Sequence, residues 1–128
     1  MAATPSFATA PRIGMAQVSV ANANRDGTTG TYVDVITAGS SGTKISEIIT
    51  EATVTTTAGT VRLFITDGTT TRLFDEIAIA AATVSGTVRA NRVSTLYANL
   101  VLPNASWKIR ASTENAQAIN VFALGADL

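Results

Sequence analysis

Between Gly59 and Ile79 the chain reads GTVRLFITDGTTTRLFDEIAI, and this stretch constrains the fold more than any other. Val61, Leu63 and Ile65 alternate with Arg62, Phe64 and Thr66, the period of two that gives a strand two distinct faces. After Asp67-Gly68-Thr69-Thr70 the alternation resumes, with Leu73, Asp75, Ile77 and Ile79 set against Phe74, Glu76 and Ala78. Asp-Gly between two such runs predicts a β-hairpin, because Gly68 takes positive φ without a Cβ clash. The tripeptide Arg-Leu-Phe occurs once in each arm, at 62–64 and 72–74.

The remainder reads as further short strands. Residues 1–12 contain Pro5 and Pro11 without periodicity and are expected to form an extended arm ahead of one β-domain spanning 13–128. Ile13 to Val20 is a first strand, with Ala16 and Val18 on one face and Met15 and Gln17 on the other. Residues 21–30 (ANANRDGTTG) form a loop, and Thr31 to Thr37 a second strand. Thr43 to Thr57 is ambiguous: Ile45, Ile48, Ile49 and Ala52 fit a helical stripe, but the density of β-branched residues favours one long strand with a bulge at Ile48-Ile49. After the hairpin come a turn at Ser85-Gly86 and strands at Arg92–Leu102, Ser106–Ser112 and Ala118–Leu124. About eight strands with no helix indicate an all-β, single-domain antiparallel β-sandwich or jelly roll, with a small closed barrel as the alternative.

Composition narrows the chemistry. The 128 residues include no cysteine and no histidine, which removes disulfides, thiolate metal sites and the commonest general base. Nine basic and nine acidic residues cancel without forming blocks, so no nucleic-acid partner is expected. No apolar run approaches the ~18–20 residues that cross a bilayer, so no membrane partner is expected either. The N-terminus has no basic and apolar leader pattern, which predicts a product made in the cytoplasm of the expressing cell. Charged residues make up only 14% of the chain, and the threonine-rich remainder suits a protein largely covered by neighbours.

The candidate sites are few. Asp75 and Glu76 are adjacent on a strand and point to opposite faces, while Glu47 and Glu51 on one strand would stand ~13 Å apart. These read as rim charges, not a catalytic pair, and no enzyme activity and no cofactor are expected. Asn22, Asn24 and Asp26 followed by Gly27 echo the start of a calcium loop, yet Val33 stands where a bidentate glutamate belongs. A tight connection held by side-chain-to-backbone bonds explains them better, and no metal site is assigned. Tyr32, Tyr97 and Trp107 are candidates for an aromatic, sugar-stacking platform. The threonines at 53, 55, 57 and 66 offer a face for a neighbouring copy, and Arg89 and Arg92 bracket a turn as possible polar anchors.

Four stretches together carry a resemblance: Asn24-Arg25-Asp26-Gly27, Thr55-Thr56-Thr57-Ala58-Gly59, Val61 to Gly68, and Leu102-Pro103-Asn104 leading to Trp107-Lys108-Ile109-Arg110-Ala111-Ser112. In these the chain resembles the head decoration (cement) proteins of tailed bacteriophages, small structural proteins with a jelly-roll or related β-sandwich fold. The resemblance covers about residues 22 to 124. It implies a virion protein on the capsid surface, without catalytic residues, that binds the major capsid protein and stabilises its lattice, commonly as a homotrimer. A tail or fibre module that binds a host-surface glycan is the alternative. Independently of the resemblance, the arm residues Pro5, Phe7, Pro11 and Arg12 are candidates for reaching a neighbouring subunit.

Overall fold

The computed structural model describes residues 10–128. Eight strands run in order as β1 (Ala10–Val18), β2 (Val33–Thr37), β3 (Thr43–Ala52), β4 (Gly59–Thr66), β5 (Thr71–Ile79), β6 (Arg92–Leu102), β7 (Lys108–Thr113) and β8 (Ile119–Asp127). They form two four-stranded sheets, β1-β8-β3-β6 and β2-β7-β4-β5, with every pairing antiparallel. Successive strands switch sheets at each connection except one, β4 to β5, so the chain winds around two packed sheets. That strand order is the eight-stranded jelly roll.

The inward residues follow the pleat. Ile45 and Ile48 of β3, Val61 and Leu63 of β4, Ile109 of β7, and Ile119, Val121 and Ala123 of β8 are fully buried between the sheets. At one side the edge strands β1 and β2 nearly touch: a Cβ at Gly14 would lie 2.4 Å from the Val35 carbonyl oxygen and 2.6 Å from Ile36 Cβ. Only glycine permits this approach, which closes the sandwich there. The opposite side, between β5 and β6, is filled by Phe74 against Tyr97, whose ring centroids are 5.6 Å apart.

The central hairpin and its turn form as the sequence indicates, with Gly68 at φ 98 and Asp67 Oδ1 accepting the amides of Thr69 and Thr70. A bulge at Phe74, however, puts Leu73 opposite Phe64 on the outer face and turns Phe74 toward Tyr97, reversing the faces that strict alternation assigned to both. Elsewhere bulges shift the expected boundaries. The long segment from Thr43 is a strand but ends at Ala52, and its register shift falls between Ile45 and Glu47, not at Ile48-Ile49. The bulged residue Ser46 keeps both Ile45 and Ile48 in the core. Residues 53–58 turn away instead of extending the strand, so Thr53, Thr55 and Thr57 never share a face with Thr66, which is buried. A bulge at Val35 likewise turns both Val35 and Ile36 inward. β1 starts at Ala10, three residues earlier than expected, so Pro11 and Arg12 belong to the sheet and not to an arm.

Candidate functional site: an exposed apolar sheet face

The two outer faces of the sandwich differ. The outward residues of β4 are Arg62, Phe64 and Thr66, and all three are buried, with the β1–β2 connection folded over Arg62 and Phe64. Tyr32 meets Phe64 edge-on at 5.0 Å, and a Cβ at Gly27 would stand 3.2 Å from that ring. Beneath the loop, the Arg62 guanidinium lies 2.7 Å from Glu114 and 3.4 Å from Glu76, which also binds Arg25 at 2.7 Å. The Arg25 bond holds the Glu76 carboxyl below the usual range. This ion network secures a covering loop over a sheet and contains no free nucleophile or base.

The loop residues singled out in the sequence do structural work. Asn22 is buried; its Nδ2 donates to the carbonyls of Thr29 and Thr31, and its Oδ1 accepts the Asn24 amide. Asp26 accepts the Thr29 hydroxyl and the amides of Thr29 and Thr28, bonds that hold its carboxyl far below the ordinary range. The side-chain oxygens of Asn22 and Asp26 are thus engaged in closing the loop, and Asn24 Nδ2 donates to the Thr29 carbonyl. Among the described residues no three acidic side chains gather as a metal cluster.

The carboxylates are dispersed as their spacing suggested. Asp75 accepts the Tyr97 hydroxyl at 2.6 Å on the β5–β6 side, whereas Glu76 faces outward to Arg25 and Arg62. Glu47 accepts the Ser94 hydroxyl, and Glu51 lies 4.0 Å from Arg89. Burial first, and then the bond to Asp75, push the Tyr97 hydroxyl well above its ordinary value. The ring contacts among the described residues are Tyr32–Phe64 and Phe74–Tyr97, with Trp107 half-buried against the core, so the three expected platform rings are engaged separately.

Of the candidate contact residues, Pro5 and Phe7 lie outside the described residues. Arg12 is used internally: it donates to Asp127 at 2.8 Å and to the Thr37 carbonyl at 2.9 Å, tying β1 to β8 and to the end of β2. Arg89 is 74% exposed, and Arg92 lies exposed at the start of β6, opposite Glu51.

Among the described residues no loop covers the outer face of the sheet β1-β8-β3-β6. Its registers set out four rows of outward residues, read across the strands. They are Pro11, Ala126, Lys44 and Val101; then Ile13, Leu124, Glu47 and Leu96; then Met15, Phe122, Ile49 and Ser94; and finally Gln17, Asn120, Glu51 and Arg92. The middle of this face is apolar and open: Leu96 is 77% exposed, Met15 71% and Ile13 58%. Phe122, Leu124 and Ile49 are half-buried between them. Large apolar side chains scattered singly are ordinary on a surface, whereas these six adjoin on one face of a sheet. Sequence reading placed Met15 and Gln17 on the second face of β1 but missed the patch. The signal was available in β8, where Phe122 and Leu124 are apolar at outward positions that an exposed sheet would give to polar residues.

No protein-family model matches this chain. No curated protein matches it either. Among solved structures it is similar to a pentameric capsid protein isolated from metagenomic phage sequences, with 14% identity over 90% of this chain and a TM-score of 0.43. The chain spans 59% of the length of that protein. It is also similar to a protein of the T13 IBDV viral particle, at 14% identity over 99% of this chain and 34% of the other, with a TM-score of 0.37.

Proposed function

We propose that this protein is a non-catalytic structural component of a phage particle, a decoration protein that binds the outside of the shell and stabilises the lattice of the major capsid protein. The observation that carries this reading is the open apolar face of the β1-β8-β3-β6 sheet. A charge-poor chain that leaves six apolar side chains on a flat surface, with its carboxylates dispersed and its loops self-bonded, is suited to gripping other proteins. The jelly-roll strand order accords with this by analogy, since that architecture recurs in capsid proteins, although it also serves lectins and cupins. Many copies on a repeating lattice convert individually weak contacts into firm attachment.

In this reading the chain's first nine residues, with Pro5 and Phe7, reach a shell subunit, and Arg89 and Arg92 supply polar contacts at the rim. Copies also associate with one another; the resemblance implies a trimer on a local symmetry axis. Size-exclusion chromatography with and without empty shells tests the proposal. The protein is expected to co-migrate with shells, and removal of residues 1–9 is expected to weaken binding while leaving the sandwich folded. Migration of the intact protein apart from the shells of its own virus would refute the reading.

A further inference from the structure

The apolar face carries its charges in an order that identifies its occupant. Along β3, Lys44 stands at one end of the face and Glu51 at the other, with Glu47 and Ile49 between them. Lys44 makes no ion pair among the described residues, and Glu51 is only loosely approached by Arg89 at 4.0 Å. Six apolar residues share the two middle rows with Glu47 and Ser94, and Lys44 and Glu51 lie in the outer rows. We propose that the partner on this face is a second copy of the same chain. It packs sheet to sheet about a two-fold axis that lies in the interface, across the strands, between the Leu124 and Phe122 rows.

This operation reverses strand direction and keeps lateral order, so each outer row meets the partner's opposite outer row. Lys44 then faces Glu51 of the second copy, and the reverse pair forms by symmetry. Ile13 meets Met15, Leu124 meets Phe122, Glu47 meets Ile49, and Leu96 meets Ser94. A two-fold axis along the strands would instead keep Lys44 on its own level, facing Ala126, and Glu51 facing Asn120, so neither ion pair forms; Glu47 meets an apolar residue in both arrangements. Charge order therefore selects between the two face-to-face arrangements. The contact is isologous: each residue's partner is met in return, as closed dimers require.

The size of the face is sufficient. Four strands at ~4.8 Å spacing and about nine residues at ~3.3 Å rise give roughly 570 Å² per copy. Both copies together bury roughly 1,100 Å², the lower end of specific interfaces, so the dimer is expected to dissociate at micromolar concentrations. Aligned sheet packing at about 30° accommodates the twist of both sheets.

The inference rests on the proposed function only in treating this face as a protein-contact surface. It gives the face to a second copy as a two-fold pair in place of the implied trimer and leaves the shell to the first nine residues and Arg89, and its test needs no shell. Sedimentation velocity of the full chain over a range of concentrations is expected to show a monomer of 13.2 kDa passing to a species of twice that mass. Met15→Lys is expected to abolish the dimer with an unchanged circular dichroism spectrum, since Met15 is exposed. Lys44→Glu and Glu51→Lys should each weaken it about tenfold, and the double reversal should restore it. The chain has no cysteine, so Ile13→Cys with Met15→Cys is expected to give an oxidised dimer. A monomer at all concentrations overturns the proposal, as does a trimer or larger ring. A dimer indifferent to Met15→Lys, or not rescued by the double reversal, overturns it as well. A dimer that ignores shells contradicts the decoration role alone.

Discussion

The packing of the β1–β2 connection onto the second sheet can be measured through Phe64. This ring is fully buried although it points away from the inter-sheet core, and it is covered by Tyr32 and the backbone at Gly27. Phe64→Ala removes the ring from a closed site, for which truncation costs about 3–5 kcal/mol, including the edge-on aromatic contact. The residues above it belong to a largely exposed loop that can settle into part of the gap, so the lower end, about 3 kcal/mol, is expected. With an unfolding entropy of about 2.1 cal/mol/K per residue, a chain of 128 residues has roughly 0.27 kcal/mol/K. The melting temperature should therefore fall by about 11 °C. Phe74→Ala, half-buried at the β5–β6 side, serves as the comparison and should cost about half as much. Differential scanning calorimetry at matched low protein concentration separates the two variants. A fall below about 4 °C for Phe64→Ala, or one no larger than for Phe74→Ala, would show that the loop is not packed on the sheet.

Further outcomes follow from other parts of the fold. Gly14→Ala places a Cβ 2.4 Å from the Val35 carbonyl and should cost about 1–3 kcal/mol in urea unfolding, whereas Gly86→Ala, with open space around it, should cost much less. Asp26 and Asp67 have lowered carboxyl pKa values through loop and turn bonds, so their stabilisation is present above the unfolded value of about 3.9 and is lost as pH falls through the folded values. Asp26→Asn with Asp67→Asn should flatten the loss of stability between pH 5 and 2 in an acid titration followed by circular dichroism; an unaltered acid limb contradicts that origin. Tyr97 should remain un-ionised beyond the ordinary tyrosine range near pH 10 in an ultraviolet titration of the folded protein, and Asp75→Asn should bring its ionisation closer to normal.

What could be read from the sequence follows from how the chain is wound. The β4–β5 hairpin is the one pair of adjoining strands joined in succession, and its alternation and Asp-Gly turn revealed the pairing but not the bulge at Phe74. All other pairings join distant segments, such as β1 with β8, so strand existence was legible while partner choice was not. Bulges at Ser46 and Val35 and the irregular stretch over 97–99 shift the alternation by a residue or two. For that reason Val101 and Leu100 occupy faces opposite to those that strict alternation assigns. The Asn22–Asp26 loop was read correctly as self-bonded because asparagine and aspartate make such bonds locally. The apolar face was not, because it draws residues from four strands whose order in the sheet no local pattern encodes. Arg12 shows the same limit from the other side: its partner Asp127 is 115 residues away.

The central claim is that this jelly roll acts through its surfaces as part of a particle. Under the proposed function the particle is a phage virion, and quantitative mass spectrometry of particles purified from cells that produce this protein tests the claim most directly. The account expects the chain in a fixed, stoichiometric ratio to the major capsid protein, a ratio that survives extensive washing. Its absence from intact particles, with the protein found only free in the infected cell, would contradict the claim.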